Sequence, residues 1–261
     1  MFATVNQSAK APGSARWWRD RYLQRLRVRG RGLSMEQICR AALGIVDRDG
    51  LRELTMRRLA DELGTGPASL YRHVASRDDL LVEVADLVLG ELEAPDPDLV
   101  WSDAVEQLAQ GLRRVLVGHR GLVVVSSNAP LLGPNAMRIR ELFWSVMDRD
   151  GCQAEFAVQT YSAVMHFVVC SAIFGAGATR KGNTAWSGET TSGLDELLDL
   201  LPARSYPTVL KFSHYADTPN PDHDFSFGLR ALLNGLWESQ QSGAAHAAGL
   251  GPRAKGTAKL E

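Results

Sequence analysis

The sequence is poor in the features that mark most enzymes and secreted proteins. Only three cysteines occur in 261 residues, Cys39, Cys152 and Cys170, far apart and with no CxxC pair. That excludes both a disulfide framework and zinc-ligand spacing, and each thiol is expected to act as a small buried hydrophobe in a reducing compartment. There is no G-x-S-x-G elbow, no P-loop, no glycine-rich dinucleotide turn and no paired metal-ligand motif. His119 and His166 have no companion carboxylates at ligand spacing. The expectation is therefore a non-enzyme with no cofactor and no metal. The opening "MFATVNQSAKAPGSARWW" lacks the apolar stretch of a secretory signal. The longest apolar run, 163–178, is shorter than the ~20 residues needed to cross a bilayer and contains His166. A cytoplasmic protein with no membrane partner is expected.

Net charge is also nearly absent, at −1, but its distribution is uneven. Residues 1–80 carry 15 Lys and Arg against 9 Asp and Glu, whereas residues 81–261 carry 14 against 21. A basic front on an acidic remainder points to a polyanion as partner of the front part. The densest basic stretch runs from Arg16 to Gly32, with seven arginines and one acid. Gly30 and Gly32 argue that it is at least partly an arm, suited to phosphate or minor-groove contact, with Arg29 and Arg31 as contact residues. A solvated basic tail is the plain alternative.

The chain reads as all-α. Ser34 to Gln37 is a capping-box pattern, followed by Ile38, Ala41, Ala42, Ile45 and Val46 at helical spacing, with Gly50 as a stop. Thr55 is expected to cap "MRRLADEL", which closes at Gly64. Pro67 suits the first position of a further helix, because its missing N–H would be unpaired there. Leu70 and Val74 face inward, leaving Ala68, Ser69, Tyr71, Arg72 and His73 largely outside. Ser76 opens another helix, with Asp78 and Asp79 in its favourable first turn. Two short helices joined by "GTG" form a helix-turn-helix, whose second helix enters the major groove by its N-terminal end. Beyond Pro95 and Pro97, helices are expected from Trp101 to Arg120, around "GPNAMRIRELFWSVMDRDG", over 153–174 and over 224–241, with shorter segments around Pro202 and Pro207. "GLVVVSS" (121–127) would fit a strand by its β-branched run but is read as helical, since no partner strand pattern appears. Residues 177–193, rich in Gly, Thr and Ser, are expected to form a mobile loop.

The stretch "LTMRRLADELGTGPASLYRHVASRDDLL" (54–81) resembles the TetR family of bacterial transcription regulators. "LLGPNAMRIRELF" and "DFSFGLRALLNGL" resemble the ligand-binding domain of the tetracycline-repressor branch. The resemblance implies a three-helix N-terminal DNA-binding domain with a helix-turn-helix, followed by a larger helical domain for ligand binding and dimerisation. The expected division is a basic, largely disordered arm (1–33), a DNA-binding domain (34–93), a ligand-binding and dimerisation domain (98–242) and a disordered tail (243–261). Carried over residue by residue, Met56 and Arg57 would lie at the DNA backbone and groove edge. Pro67, Ala68 and Ser69 would meet base edges, Tyr71, Arg72 and His73 would flank the groove, and Arg77 would hold a phosphate. Arg72 suits a two-pronged bond to guanine, and Tyr71 and His73 suit phosphate oxygens. The Pro-Ala-Ser tip has few long donors, so base readout there should be sparse.

The expected partners are a double-stranded DNA operator, a small effector and a second copy of the chain. A pocket for a small, largely hydrophobic effector should be mostly apolar with a few polar groups. The candidates are Asn128, Met137, Trp144, Met147, Tyr161, Met165, His166 and Phe167, although for any single one plain core packing is the favoured explanation. The helices over 153–174 and 224–241 are the expected homodimer faces, forming a four-helix bundle with Trp237 and Leu233 as contacts. The expected function is a homodimeric repressor released from its operator by the effector. The alternative is a DNA-binding regulator or architectural protein without a small-molecule ligand.

Overall fold

The computed structural model describes residues 11–27, 33–119, 121–122, 131–178, 196–216 and 220–247. Every regular element among them is helical: α1 (Ala15–Arg27), α2 (Met35–Asp49), a 3-10 turn (Leu51–Glu53), α3 (Met56–Glu62), α4 (Pro67–Tyr71), α5 (Arg77–Leu89), α6 (Trp101–Gly118), α7 (Pro134–Arg149), α8 (Ala154–Ala178), α9 (Pro207–Ala216) and α10 (Pro221–Ala247).

Local chemistry sets most of the starts. Ser34 and Gln37 form the full capping box of α2, and Thr55 and Ser76 accept from Arg58 N and Asp79 N at the starts of α3 and α5. Pro67, Pro134 and Pro221 each stand at the head of a helix, where a residue without N–H costs nothing. Gly50, Gly64 and Gly151 take positive φ where α2, α3 and α7 end.

Two apolar cores form. The front core joins α2, α3, α4 and α5 through Ile38, Ile45, Leu54, Leu59, Leu70, Leu80 and Val84. The rear core joins α6, α7, α8 and α10 around Leu108, Leu112, Phe143, Val164, Val168 and Leu229. α5 serves both, since Val84 and Val88 belong to the front core and Leu89, with Leu92 just beyond, to the rear. A displacement at either end of α5 is therefore felt by both.

Several expectations are corrected. Residues 15–27 form a docked helix, so the segment before Ser34 is not wholly a disordered arm. The final helix starts at Pro221 and runs to Ala247, into the segment expected to be a disordered tail, where "SGAAHA" is compatible with helix. α8 extends to Ala178, into the segment expected to be a loop. Over Ala154–Ile173 it is long and apolar enough by length and composition to span a membrane, although the longest run looked too short. In the fold it packs between α6, α7 and α10, with Val164, Val168 and Ala172 buried. Cys39 and Cys152 are buried but Cys170 is exposed. Burial pushes the Cys39 thiol up to about 12, which leaves it inert. "GLVVVSS" beyond Leu122, most of the expected 177–193 loop and the tail after Ala247 lie outside the described residues.

Candidate DNA interface and effector cavity

α3 and α4 form the helix-turn-helix. Gly64 at φ +62° lets Thr65 N reach back to Ala60 O at 2.9 Å, which closes α3 tightly. Gly66, in an extended conformation, then hands the chain to Pro67. Leu70 and Val74 are fully buried and fasten α4 to the front core. Pro67, Ala68, Tyr71 and Arg72 consequently face solvent, with Ser69 and His73 half-buried beside them. Tyr71 is 53% exposed, although it could have packed inward. The Arg72 guanidinium donates to Ser69 Oγ at 3.0 Å, so it folds back along α4 toward the tip. The long donor missing from Pro-Ala-Ser is thus supplied from the next turn.

Two expected contact residues are placed differently. Met56 is buried in the front core, so of the two residues expected at the groove edge only Arg57 is exposed. Arg77 donates through Nε to Leu54 O (2.7 Å) and through Nη2 to Leu51 O (2.5 Å). It holds the turn ahead of α3, and the expected phosphate contact competes with that bond. Arg29 and Arg31 lie outside the described residues.

Beside α4 lies α1. Trp17 Nε1 donates to Asp79 Oδ1 at 2.7 Å, and Arg21 Nη1 donates to His73 O at 2.5 Å. Arg21 Nε lies 3.2 Å from Glu83 Oε1, and Arg25 pairs with the other oxygen of the same carboxylate. The Glu83 side chain is only 2% exposed. Its burial raises the carboxyl's pKa, against the opposing pull of Arg25 and Arg21. α1 and the recognition segment enclose a cleft of about 440 Å³ lined by Trp17, Gln24, Tyr71, Arg72 and His73, among others. The sequence carried a signal for this docking, since Trp17, Arg21 and Arg25 recur every four residues on one helical face. Two glycines after it had argued for an arm.

In the rear domain, Tyr161, Met165 and His166 of the expected effector residues meet at one cavity of about 390 Å³ between α7 and α8. Trp144 packs on Tyr161 with ring centroids 5.8 Å apart. Phe167 is drawn away from this cavity, stacked on Phe225 at 5.3 Å. Met147 is fully buried in the rear core and Met137 is largely exposed, so neither lines the cavity. Asn128 lies outside the described residues. Sequence reasoning missed Arg140, whose guanidinium sits 5.3 Å from the Tyr161 ring and 5.6 Å from that of Trp144. Among the described residues it has no carboxylate partner. Burial raises the Tyr161 hydroxyl's pKa, opposed by the charge of Arg140. Among the described residues no group of three His, Cys, Asp or Glu side chains could hold a metal ion.

Polar ties join front to rear. Asp86 on α5 accepts from Asn135 N (3.2 Å), Ala136 N (3.0 Å) and Asn135 Nδ2 (3.2 Å), capping α7 from another helix. His119, at the end of α6, lies 2.9 Å from Asp47 of α2 and 3.0 Å from Glu91 just past α5.

These features define a helix-turn-helix protein with a larger helical domain that carries a partly apolar pocket between α7 and α8. Residues 38–84 match the model of bacterial regulatory proteins of the tetR family, and residues 94–239 match that of the tetracyclin repressor-like C-terminal domain. The chain belongs to the TetR family of transcriptional regulators, which are non-enzymatic. A relative described as an HTH-type transcriptional regulator, from Saccharopolyspora erythraea, is 34% identical over 236 residues, covering 89% of this chain and 94% of its own. The HTH-type transcriptional repressor DrrR1 of Streptomyces coeruleorubidus is 32% identical over 221 residues, 78% of this chain and 77% of its own. Among solved structures, the Streptomyces coelicolor TetR family protein ActR in complex with actinorhodin matches with a TM-score of 0.70 and 34% identity, covering 85% of this chain and all of that one. ActR in complex with (S)-DNPA matches at the same TM-score and identity over 80% of this chain.

Proposed function

We propose that the protein is a homodimeric repressor that holds an operator through α4 and releases it when a small, largely hydrophobic aromatic effector enters the rear domain. The observation that carries this reading is the cavity between α7 and α8, where Tyr161, on which Trp144 packs, and Met165 and Val169 offer an aromatic and apolar wall and Arg140 a cation. The ActR complexes with actinorhodin and (S)-DNPA support an aromatic natural product as the class of effector, and the repressor description of DrrR1 supports the direction of control. Arg140 favours an effector with an acidic group, because a guanidinium flanked by rings pairs well with a carboxylate or an acidic phenol. Dimerisation is assigned to α8 and α10, which leave Val158, Ile173, Phe227 and Trp237 on the surface; Trp237 also packs on Trp101 at 5.8 Å. Leu233, buried in the rear core of a single subunit, contributes little to that face. The operator, and so the site of action, is in the cytoplasm.

The test is thermal unfolding and operator release against a panel of aromatic acids, their methyl esters and aliphatic controls. At least one aromatic acid should raise the unfolding temperature and dissociate the DNA complex, and its ester should act about tenfold more weakly on loss of one charge-assisted bond. Arg140→Met should remove that difference between acid and ester. If no compound stabilises the protein while operator binding persists, the sensor reading fails.

A further inference from the structure

We propose that α1 is a positioning element for DNA recognition: docked through Trp17, Arg21 and Arg25, it clamps the trailing end of α4, so operator affinity depends on a helix outside the helix-turn-helix. The inference rests on the reading of α4 as the recognition helix.

α4 has five residues, too few to hold itself together. Its interior carbonyls are met locally, with Leu70 O accepting from His73 N (2.8 Å) and Val74 N (3.0 Å). The carbonyl of His73, where the segment leaves helical geometry, is taken by Arg21 from α1. The next turn is fixed from the other side. Asp79 Oδ2 accepts from Ala75 N at 3.1 Å, and Asp79 Oδ1 is held by the Trp17 indole. The segment 73–75 thus runs between two anchors: the first is supplied by Arg21 of α1 itself, and the second, local to the start of α5, is oriented by the Trp17 indole of α1.

Docking is enforced by charge. Glu83 is a buried carboxylate whose partners among the described residues are Arg21 and Arg25, and loss of a guanidinium with α1 still docked leaves its charge under-compensated. Trp18, 6% exposed, adds apolar burial at the same contact. Arg21 is therefore committed inside the protein, whereas Arg16 and Arg19 stand out in solvent and Arg25 is partly exposed beside Glu83. A phosphate-binding arm predicts a different phenotype. Removing one of its arginines would weaken binding to all DNA alike and reduce the salt slope by about one unit.

The experiment uses the full chain with Trp17→Phe, Arg21→Met and the double variant Arg21→Met with Glu83→Gln. Affinity is measured over a range of salt on a duplex from the protein's own footprinted promoter and on a scrambled duplex. The wild-type preference for the promoter duplex tests the α4 reading itself; without it that reading fails and the variants are not at issue. Given the preference, Arg21→Met should weaken promoter binding about tenfold or more, the loss expected from one charged hydrogen bond. Trp17→Phe should weaken it several-fold. Scrambled-duplex affinity and salt slope should stay unchanged in both. The double variant should recover the thermal stability lost in Arg21→Met without recovering promoter affinity. Equal losses on both duplexes with a shallower slope would overturn the proposal in favour of a phosphate arm. Recovery of affinity together with stability would overturn it in favour of a purely structural role. Unchanged promoter affinity in Trp17→Phe and the double variant would also overturn it, whether or not Arg21→Met folds.

Discussion

Replacing Tyr71 and Arg72 together by alanine should reduce operator affinity about a hundredfold or more, to the level of unrelated DNA, since each lost contact of this kind costs roughly 1–3 kcal/mol. Both side chains stand outside the front core, and Leu70 and Val74, which fasten α4, are untouched. The double variant should therefore unfold within about 0.5 kcal/mol of the wild type, as surface substitutions do. Arg72 is the more consequential of the two. Its tie to Ser69 Oγ holds the guanidinium along the helix before DNA arrives, which reduces the ordering cost of binding. Arg72→Lys keeps the charge but loses the planar fork, so it should retain affinity for random DNA and lose preference for the operator. Gel shifts with the footprinted promoter, with sedimentation to check the assembly, decide the matter. Undiminished affinity in the double variant would remove α4 from the recognition surface.

The helix-turn-helix was legible because its signals are local. Thr55, Gly64, Pro67 and Ser76 act on neighbours within four residues, and each occupies the cap or turn its chemistry suggests. What was not legible depends on partners far along the chain. Asp79 reads as a first-turn carboxylate complementing the dipole of α5, and it does sit there. It also holds Trp17, 62 residues earlier. Glu83 and Asp86 follow at spacings of four and three on the same helix, within "LLVEVADLVL". Three buried carboxylates in an apolar helix are a signal that partners must come from elsewhere, because ionised groups are not buried unpaired. The sequence does not say which partners. They prove to be an indole, two guanidinium groups and the open N-terminus of α7. The cavity was half legible for a related reason. An apolar helix announces that Tyr161 and Met165 are buried, but only the crossing of α7 over α8 brings Arg140, with Trp144 one turn on along its own helix, to the Tyr161 ring.

Asp86 carries the second large effect. Its carboxylate accepts from the backbone N–H groups of Asn135 and Ala136 at the start of α7, a helix whose own N-cap, Gly133, has no side chain to do so. Burial raises the carboxyl's pKa, while those N–H groups pull it back. Asp86→Ala would leave buried donors unsatisfied at a cost of about 1–3 kcal/mol each, so a loss of about 3 kcal/mol is expected in chemical unfolding. Gly133→Ala approaches the same contact from the other side. A Cβ there would lie 2.1 Å from Asp86 Oδ1, so the carboxylate or the head of α7 must move. The two substitutions disturb one contact and should be strongly non-additive, the double variant being little worse than the poorer single one. Because α7 carries Arg140 and Trp144 and α5 belongs to the front core, the proposed repressor would have this cap as one polar contact between its effector-binding and DNA-binding domains. Asp86→Asn, which keeps an acceptor and the shape, should fold and bind operator but need a higher effector concentration for release. Full additivity of Asp86→Ala and Gly133→Ala would show that the cap is not the shared contact. Unchanged effector response in Asp86→Asn would confine Asp86 to holding the fold.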